Sequence, residues 1–220
     1  MGYQLNGVDD GGIPIGIVKA LLSARPIPSF IECGTGGGYS IRQVADLFDK
    51  CYTIDVDSVE LNIPNVTFYH GQSVDYLQSI IKNLKGYALF WLDAHYSGST
   101  PNNTGIPECP LIEEIKLISA YQEALIIIDD ARLFLGPPPA PLDPREWPGI
   151  SDVFECLRKY FQWHYITITD DYILCIPIHF KVPIEHEWRS RFSIRYPSAE
   201  DKLKTDTKNV YNALKKYIGE

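Results

Sequence analysis

Two apolar segments late in the chain, Trp163–Thr169 and Tyr172–Ile176, are separated only by Asp170-Asp171. A two-residue connection joins antiparallel strands and no others. The five earlier apolar segments are spaced differently. Ser29–Cys33 (SFIEC), Cys51–Val56 (CYTIDV), Val66–Tyr69 (VTFY), Tyr87–Leu92 (YALFWL) and Ala124–Ile128 (ALIII) mostly alternate with stretches of helical periodicity. Helices are expected at Ile13–Ser23, Tyr39–Phe48 and Val74–Leu84, and again where Leu111, Ile112, Ile115 and Ile118 share a face. A further helix is expected at Ser151–Phe161, with Ser151 as its N-cap. Strands that alternate with helices imply crossovers and a parallel sheet. The expectation is a doubly wound α/β fold closed by an antiparallel terminal hairpin.

The chain has 220 residues, 45% of them hydrophobic and 22% charged, which excludes disorder and low complexity and suits one domain. No apolar run approaches the ~20 residues that span a bilayer. The opening MGYQLNGVDDGG has neither a basic nor an apolar region, so no secretory signal is visible. The charge is unevenly divided. Residues 181–220 carry 9 basic and 6 acidic side chains, leaving 11 and 22 in residues 1–180. So acidic a body repels a phosphate backbone, which argues against nucleic acid as partner and for a small ligand or a bound metal. Five widely spaced cysteines without a Cys-x-x-Cys pair read as reduced thiols of a cytoplasmic protein. Residues 1–177 form the expected domain. Residues 178–220 form a basic, partly helical extension packed on it, with a helix at about 199–217. Residues 136–149, GPPPAPLDPREWPG, read as a stiff lid over a pocket, the alternative being an SH3-type ligand.

Glu32-Cys33-Gly34-Thr35-Gly36-Gly37-Gly38-Tyr39 joins the first strand to its helix. Glycines there let the backbone approach a ligand closely, and the helix start presents free N–H groups. The dinucleotide pattern G-x-G-x-x-G fails at its third glycine, where Tyr39 stands. What fits instead is an acid two residues before Gly-x-Gly. The motif resembles the first motif of class I S-adenosylmethionine-dependent methyltransferases, over about residues 11–177. The resemblance implies a Rossmann-like seven-stranded sheet and a cofactor site made by Glu32, Gly34, Thr35 and Gly36, with Asp93 beside it. It also implies that Asp55 accepts hydrogen bonds from ribose hydroxyls and that Gln72 and Ser73 flank the adenine. Each residue also has a plainer reading: Glu32 as a cap for a neighbouring N–H, Asp55 as a strand end.

Asp93 follows the fourth strand and Asp129-Asp130 the fifth, neighbours about 4.8 Å apart in such a sheet. Three carboxylates there repel one another unless they share a proton or a cation, and hard oxygen ligands suit Mg²⁺. This set is similar to that of the metal-dependent sugar O-methyltransferases, the macrocin O-methyltransferase branch, which has Asp-Asp after the fifth strand. That branch reads Leu-Asp-Gly-Asp after the fourth, where this chain reads Leu92-Asp93-Ala94-His95. The resemblance implies Mg²⁺ (or Mn²⁺) on Asp93, Asp129 and Asp130, catalysis by Asp93, and His95 as general base in place of the second acid. Tyr96, Phe134 and Trp147 are candidates to pack against a sugar face, and Arg132 to hold a phosphate or carboxylate. The plainer readings are a solvent-bonded loop histidine and a loop-stabilising acid pair.

The function expected is S-adenosylmethionine-dependent O-methylation of a sugar or glycan hydroxyl, assisted by Mg²⁺. Its competitors are a catechol-type or metal-independent small-molecule methyltransferase, a cofactor-binding scaffold without turnover, and an NAD-dependent oxidoreductase, which Tyr39 disfavours. A homo-oligomer and a sister domain of a larger glycan-building enzyme are both compatible with the sequence.

Overall fold

The structure, a computed structural model, describes residues 12–96 and 106–195, with 203, 204, 207 and 208, and leaves aside the side chains of residues 192–195. Seven strands form one sheet: β1 (Ser29–Cys33), β2 (Lys50–Asp55), β3 (Val66–His70), β4 (Ala88–Leu92), β5 (Ala124–Ile128), β6 (His164–Thr169) and β7 (Tyr172–Pro177). Their order is β3-β2-β1-β4-β5-β7-β6. The first five are parallel, and β7 pairs antiparallel with both β5 and β6, as the two-residue turn requires. Asp170 in that turn has a φ of 51°.

Among the described residues, the helices that cover the two faces are α1 (Ile15–Ala24), α2 (Tyr39–Val44), α3 (Ser73–Ile81), α4 (Leu111–Ile118), α5 (Ile150–Tyr160) and α6 (Lys181–Arg195). Side chains alternate across a strand, so each strand feeds two cores. Ile31, Tyr52, Phe90 and Ile126 pack with Leu77 of α3, Ile115 of α4 and Leu157 of α5. Phe30, Cys51, Leu89 and Ile127 pack with Val18 of α1, Ile41 of α2 and Ile184 of α6. β1, β4 and β5 are buried along their whole length, and β4 and β5 accordingly read as unbroken apolar runs, while β1 carries Ser29 and Glu32 among its apolar residues. Each fully buried Ile or Leu removes enough apolar surface from water to contribute about 1.5–3 kcal/mol.

Three details differ from expectation. α5 begins after Gly149, whose N–H donates to Asp152 at 2.9 Å, so Gly149 is the N-cap and Ser151 lies inside the helix. On α4, Glu114 is buried with Leu111, Ile115 and Ile118 while Ile112 is only partly covered. Helix α6 was not expected, because its mixed sequence lacks an apolar period; Pro183 sits in its first turn, where no N–H is needed. Phe180 just before it and Ile184 on it join the core. The helix expected at about 199–217 lies outside the described residues except at 203, 204, 207 and 208, which are helical. All five cysteines are buried and free. No helix among the described residues is long and apolar enough to cross a membrane.

Candidate functional site

The parallel ladder runs one residue past the strand ends, and this fixes the site. Asp93 N–H donates to the Cys33 carbonyl at 2.8 Å, Asp129 N–H to Leu92 at 3.1 Å and Gly34 N–H to Ile54 at 2.9 Å. Gly34, Asp93 and Asp129 therefore share one edge, with Asp55 at the end of β2 beside them. Crevices at the carboxyl ends of such strands are where ligands bind in doubly wound sheets.

Gly34 has a φ of 92°, and a Cβ there would stand 2.1 Å from the Asp93 carbonyl oxygen. Only glycine lets β1 end this close to β4. Gly36, with a φ of 50°, and Gly37 differ: a Cβ on either would meet nothing within 4 Å. The loop thus borders open space. It is fastened to β2: Gly36 N–H donates to Asp55 Oδ2 at 2.7 Å, and Asp57 N–H to Asp55 Oδ1 at 2.8 Å. Thr35 lies 2.6 Å, oxygen to oxygen, from Thr53 on β2, and the Thr53 hydroxyl donates to Glu32 Oε2. Glu32 is fully buried, and its Oε1 has no hydrogen-bond partner. Burial pushes its carboxyl up to about 8, Thr53 opposing and the charges of Asp93 and Asp55 adding. Gln72 caps α3 with extended backbone. The Ser73 hydroxyl instead turns into the core and donates to Glu114 at 2.5 Å, so the Ser73 side chain does not face the crevice.

Across the crevice, Asp130 has a φ of 53°, a left-handed geometry that Asp tolerates better than most residues. This turn sends its Oδ2 to His95 Nε2 at 2.9 Å and its Oδ1 to Arg132 Nη1 at 2.7 Å. Asp93 Oδ1 stands 3.7 Å from the same imidazole nitrogen. The His95 ring is almost buried, edge-on to Phe134 and Trp147 with centroids 6.4 and 5.4 Å away. Burial pushes Asp93 up to about 6, with His95 opposing and Asp130 adding. Burial, with Asp93 and Asp130, pushes Asp129 up to about 7. For Asp130 burial acts upward too, but the hydrogen bond and charge of His95, then Arg132, outweigh it and hold the carboxyl below its ordinary range. For His95 burial acts downward, yet the bond to Asp130 and the charges of Asp93, Asp130 and Asp129 hold it above 6.5.

The carboxylates do not converge on a cation. Asp130 faces His95 and Arg132, and Asp129 Oδ1 accepts the Asp130 N–H at 2.8 Å. Among the described residues no three His, Cys, Asp or Glu side chains are placed to hold a metal ion. This arrangement does not fit Mg²⁺.

Two contacts beyond the sequence reading hold the cluster. Asp171 in the β6–β7 turn accepts the Arg132 N–H at 2.9 Å and pairs with its guanidinium, so the turn steadies the arginine that holds Asp130. Arg132 is thereby engaged with two carboxylates. Glu108 Oε2 accepts the Trp147 indole N–H at 3.0 Å and the Asp143 N–H at 2.8 Å, and the Glu108 carbonyl accepts the Tyr96 N–H at 2.7 Å. Glu108 thus ties the His95 segment to residues 136–149 and keeps Trp147 against His95. Phe134 and Trp147 are buried walls for the imidazole rather than an open platform for a sugar. Thr53, Glu108, Glu114 and Asp171 carry no local signal. A Thr in a strand, an acid in a helix and an Asp in a turn are ordinary residues at such places.

No protein-family model matches the sequence, and no curated protein matches it. Solved structures do match in fold. Human methyltransferase-like protein 13, in complex with SAH (S-adenosylhomocysteine), aligns with 80% of this chain and 90% of its own at 13% identity and a TM-score of 0.50. The plantazolicin methyltransferase BamL, in complex with a triazolic desmethylPZN analog and SAH, covers 85% and 79% at 12% identity and 0.46. The MycE methyltransferase of the mycinamycin biosynthetic pathway, in complex with Mg, SAH and mycinamycin VI, covers 72% and 44% at 13% and 0.43. At such identities the likeness is one of fold, and the first of these carries it: the chain has the Rossmann-like α/β fold of a methyltransferase.

Proposed function

We propose that the chain is an S-adenosylmethionine-dependent O-methyltransferase that acts on a hydroxyl of a sugar or glycan, with His95 as general base. The observation that carries this reading is the buried His95–Asp130 pair, which shares one sheet edge with an open glycine loop. S-adenosylmethionine, when bound, supplies a sulfonium methyl group open to in-line displacement. The residues around the loop fit it. The Gly36–Gly37 backbone borders the open space, Asp55 retains lone pairs for ribose hydroxyls, and Gln72, the N-cap residue of α3, would flank the adenine. Glu32 supports the loop from below.

A hydroxyl is a poor nucleophile at neutral pH, so the chain's own task is to remove its proton. Asp130, held ionised, only accepts hydrogen bonds, so His95 Nε2 carries the proton between them. Nδ1 is then the basic nitrogen, the one that would take the proton from the acceptor hydroxyl. Asp93 and Asp130 steady the resulting imidazolium. This reading is metal-independent, because the carboxylates are engaged with His95, Arg132 and the backbone. The acidic body favours a small-molecule acceptor over nucleic acid.

The test is mass spectrometry of hexose and deoxysugar acceptors incubated with S-adenosylmethionine, with and without EDTA. Methylated sugar should form in both, and His95→Ala should lower turnover by about 10²–10⁴. Turnover abolished by EDTA and restored by Mg²⁺ would return the three aspartates to a metal. Calorimetric binding of NAD but not S-adenosylhomocysteine would overturn the reading altogether.

A further inference from the structure

Behind the glycine loop, three side chains form a hydrogen-bonded row whose direction is set at its buried end. Glu32 lies on β1, an inner strand between β2 and β4, in register with Thr53 on β2. The Thr53 hydroxyl donates to Glu32 Oε2. A threonine hydroxyl has one proton. With that proton given to Glu32, the 2.6 Å contact between Thr53 and Thr35 has Thr35 as its donor. Thr35 is buried between Gly34 and Gly36, and its carbonyl accepts the Gly38 N–H at 2.8 Å. Thr35 of the loop is therefore tied, through a residue of another strand, to a carboxylate that touches no solvent.

We propose that Thr53 is a positioning residue for the glycine loop, and that it passes the protonation state of Glu32 to the Thr35 hydroxyl. The value of this for ligand binding rests on the loop being the cofactor site; the row itself does not. With Glu32 ionised, Thr35 donates inward and turns lone pairs to the loop. When Glu32 takes a proton, every bond in the row reverses: Glu32 donates to Thr53, Thr53 to Thr35, and the Thr35 proton is released toward the loop. Atoms balance with one proton gained. The groups facing Glu32 are Asp55 and Cys51 on β2, Cys33 on β1, Asp93 after β4 and the Ile41 N–H of α2. Both thiols are pushed well up by burial and stay neutral, and burial carries Glu32 itself to about 8, so the reversal falls near neutral pH.

The experiment compares wild type, Thr53→Ser, Thr53→Val and Glu32→Gln. Amide-exchange protection of residues 34–38 is read on the free protein, and S-adenosylhomocysteine affinity by calorimetry from pH 6.5 to 9. Thr53→Val should lose loop protection and bind about tenfold more weakly, the scale of one hydrogen bond to a charged group. Thr53→Ser should stay within about twofold of wild type on both, since it restores the hydroxyl. The gap between wild type and Thr53→Val should widen as the pH rises and Glu32 ionises, and Glu32→Gln should flatten that trend. Should Thr53→Val not fold, Thr35→Val against Thr35→Ser poses the same question from the other end of the row. Wild-type loop protection in the valine variant at every pH, or equal losses in the serine and valine variants, would overturn the proposal. A wild type that does not bind S-adenosylhomocysteine would overturn the cofactor reading instead, while the exchange measurement still decides the role of Thr53.

Discussion

Replacing Asp130 by Asn isolates the charge that holds His95. The substitution keeps the backbone, because Asn enters the left-handed region at φ 53° as readily as Asp. It also keeps a hydrogen-bonding side chain, so the 2.9 Å contact to His95 persists as a neutral one. Only the charge is lost. A hydrogen bond to a charged group is worth about 1.5–3 kcal/mol and a neutral one about 0.5–1.5, so the imidazolium loses about 1–1.5 kcal/mol. That is close to one pKa unit. The His95 side chain is only 7% exposed, so solvent screens little of this. Arg132, relieved of one of its two carboxylates, pushes in the same direction. His95 should therefore fall by about one unit, which NMR titration of its ring C–H signals would read directly. Because the base works unprotonated, the acid limb of the pH–rate profile should move to lower pH by the same amount. Stability changes with the opposite sense. A histidine held above its unfolded value contributes fully below pH 6.5, and that contribution is lost as the pH rises through the folded value. The stability gap between wild type and Asp130→Asn should thus be widest below pH 6.5 and close above it. An unchanged or raised His95 value in the variant would refute the coupling.

Two glycines of one loop should respond differently to Ala. Gly34→Ala places a Cβ 2.1 Å from the Asp93 carbonyl, so its melting temperature should fall sharply. Gly36→Ala meets nothing within 4 Å and costs only the left-handed strain of about 1–2 kcal/mol, so it should fold while binding S-adenosylhomocysteine poorly. Glu108→Ala leaves the Trp147 indole and the Asp143 N–H without their acceptor, a loss of about 1–3 kcal/mol, and should red-shift tryptophan emission as Trp147 leaves His95. Glu32, Glu114, Asp129 and Asp93 are raised by burial to about 8, 7, 7 and 6, so they keep protons in the folded chain that the unfolded chain releases. Their contribution is present at acid pH and lost as the pH climbs through those values, so thermal stability should decline between pH 5 and 9. A melting temperature that rises over that range would contradict the burial of these carboxyls.

Part of this architecture is legible in the chain alone. β5 coincides with Ala124–Ile128 because a strand buried on both faces is mostly apolar, and β1 coincides with Ser29–Cys33 although it buries Glu32 among its apolar residues. The antiparallel pairing of β6 and β7 follows from Asp170-Asp171, since no parallel connection is that short. Connectivity and period thus place Gly34, Asp55, Asp93 and Asp129 at strand ends, and a doubly wound sheet brings its strand ends to one edge. Which side chains meet across that edge has no such signature. His95 and Asp130 are 35 positions apart, Trp147 and Glu108 39, and their contacts depend on where loops bring them. The decisive detail is a single dihedral: the left-handed φ of Asp130 turns its carboxylate to His95 and Arg132, away from the shared cation that three neighbouring aspartates suggest. Local sequence sets period and turn length because those interactions act within a few residues. The partners of a buried carboxyl are decided by packing, which needs the whole chain in place.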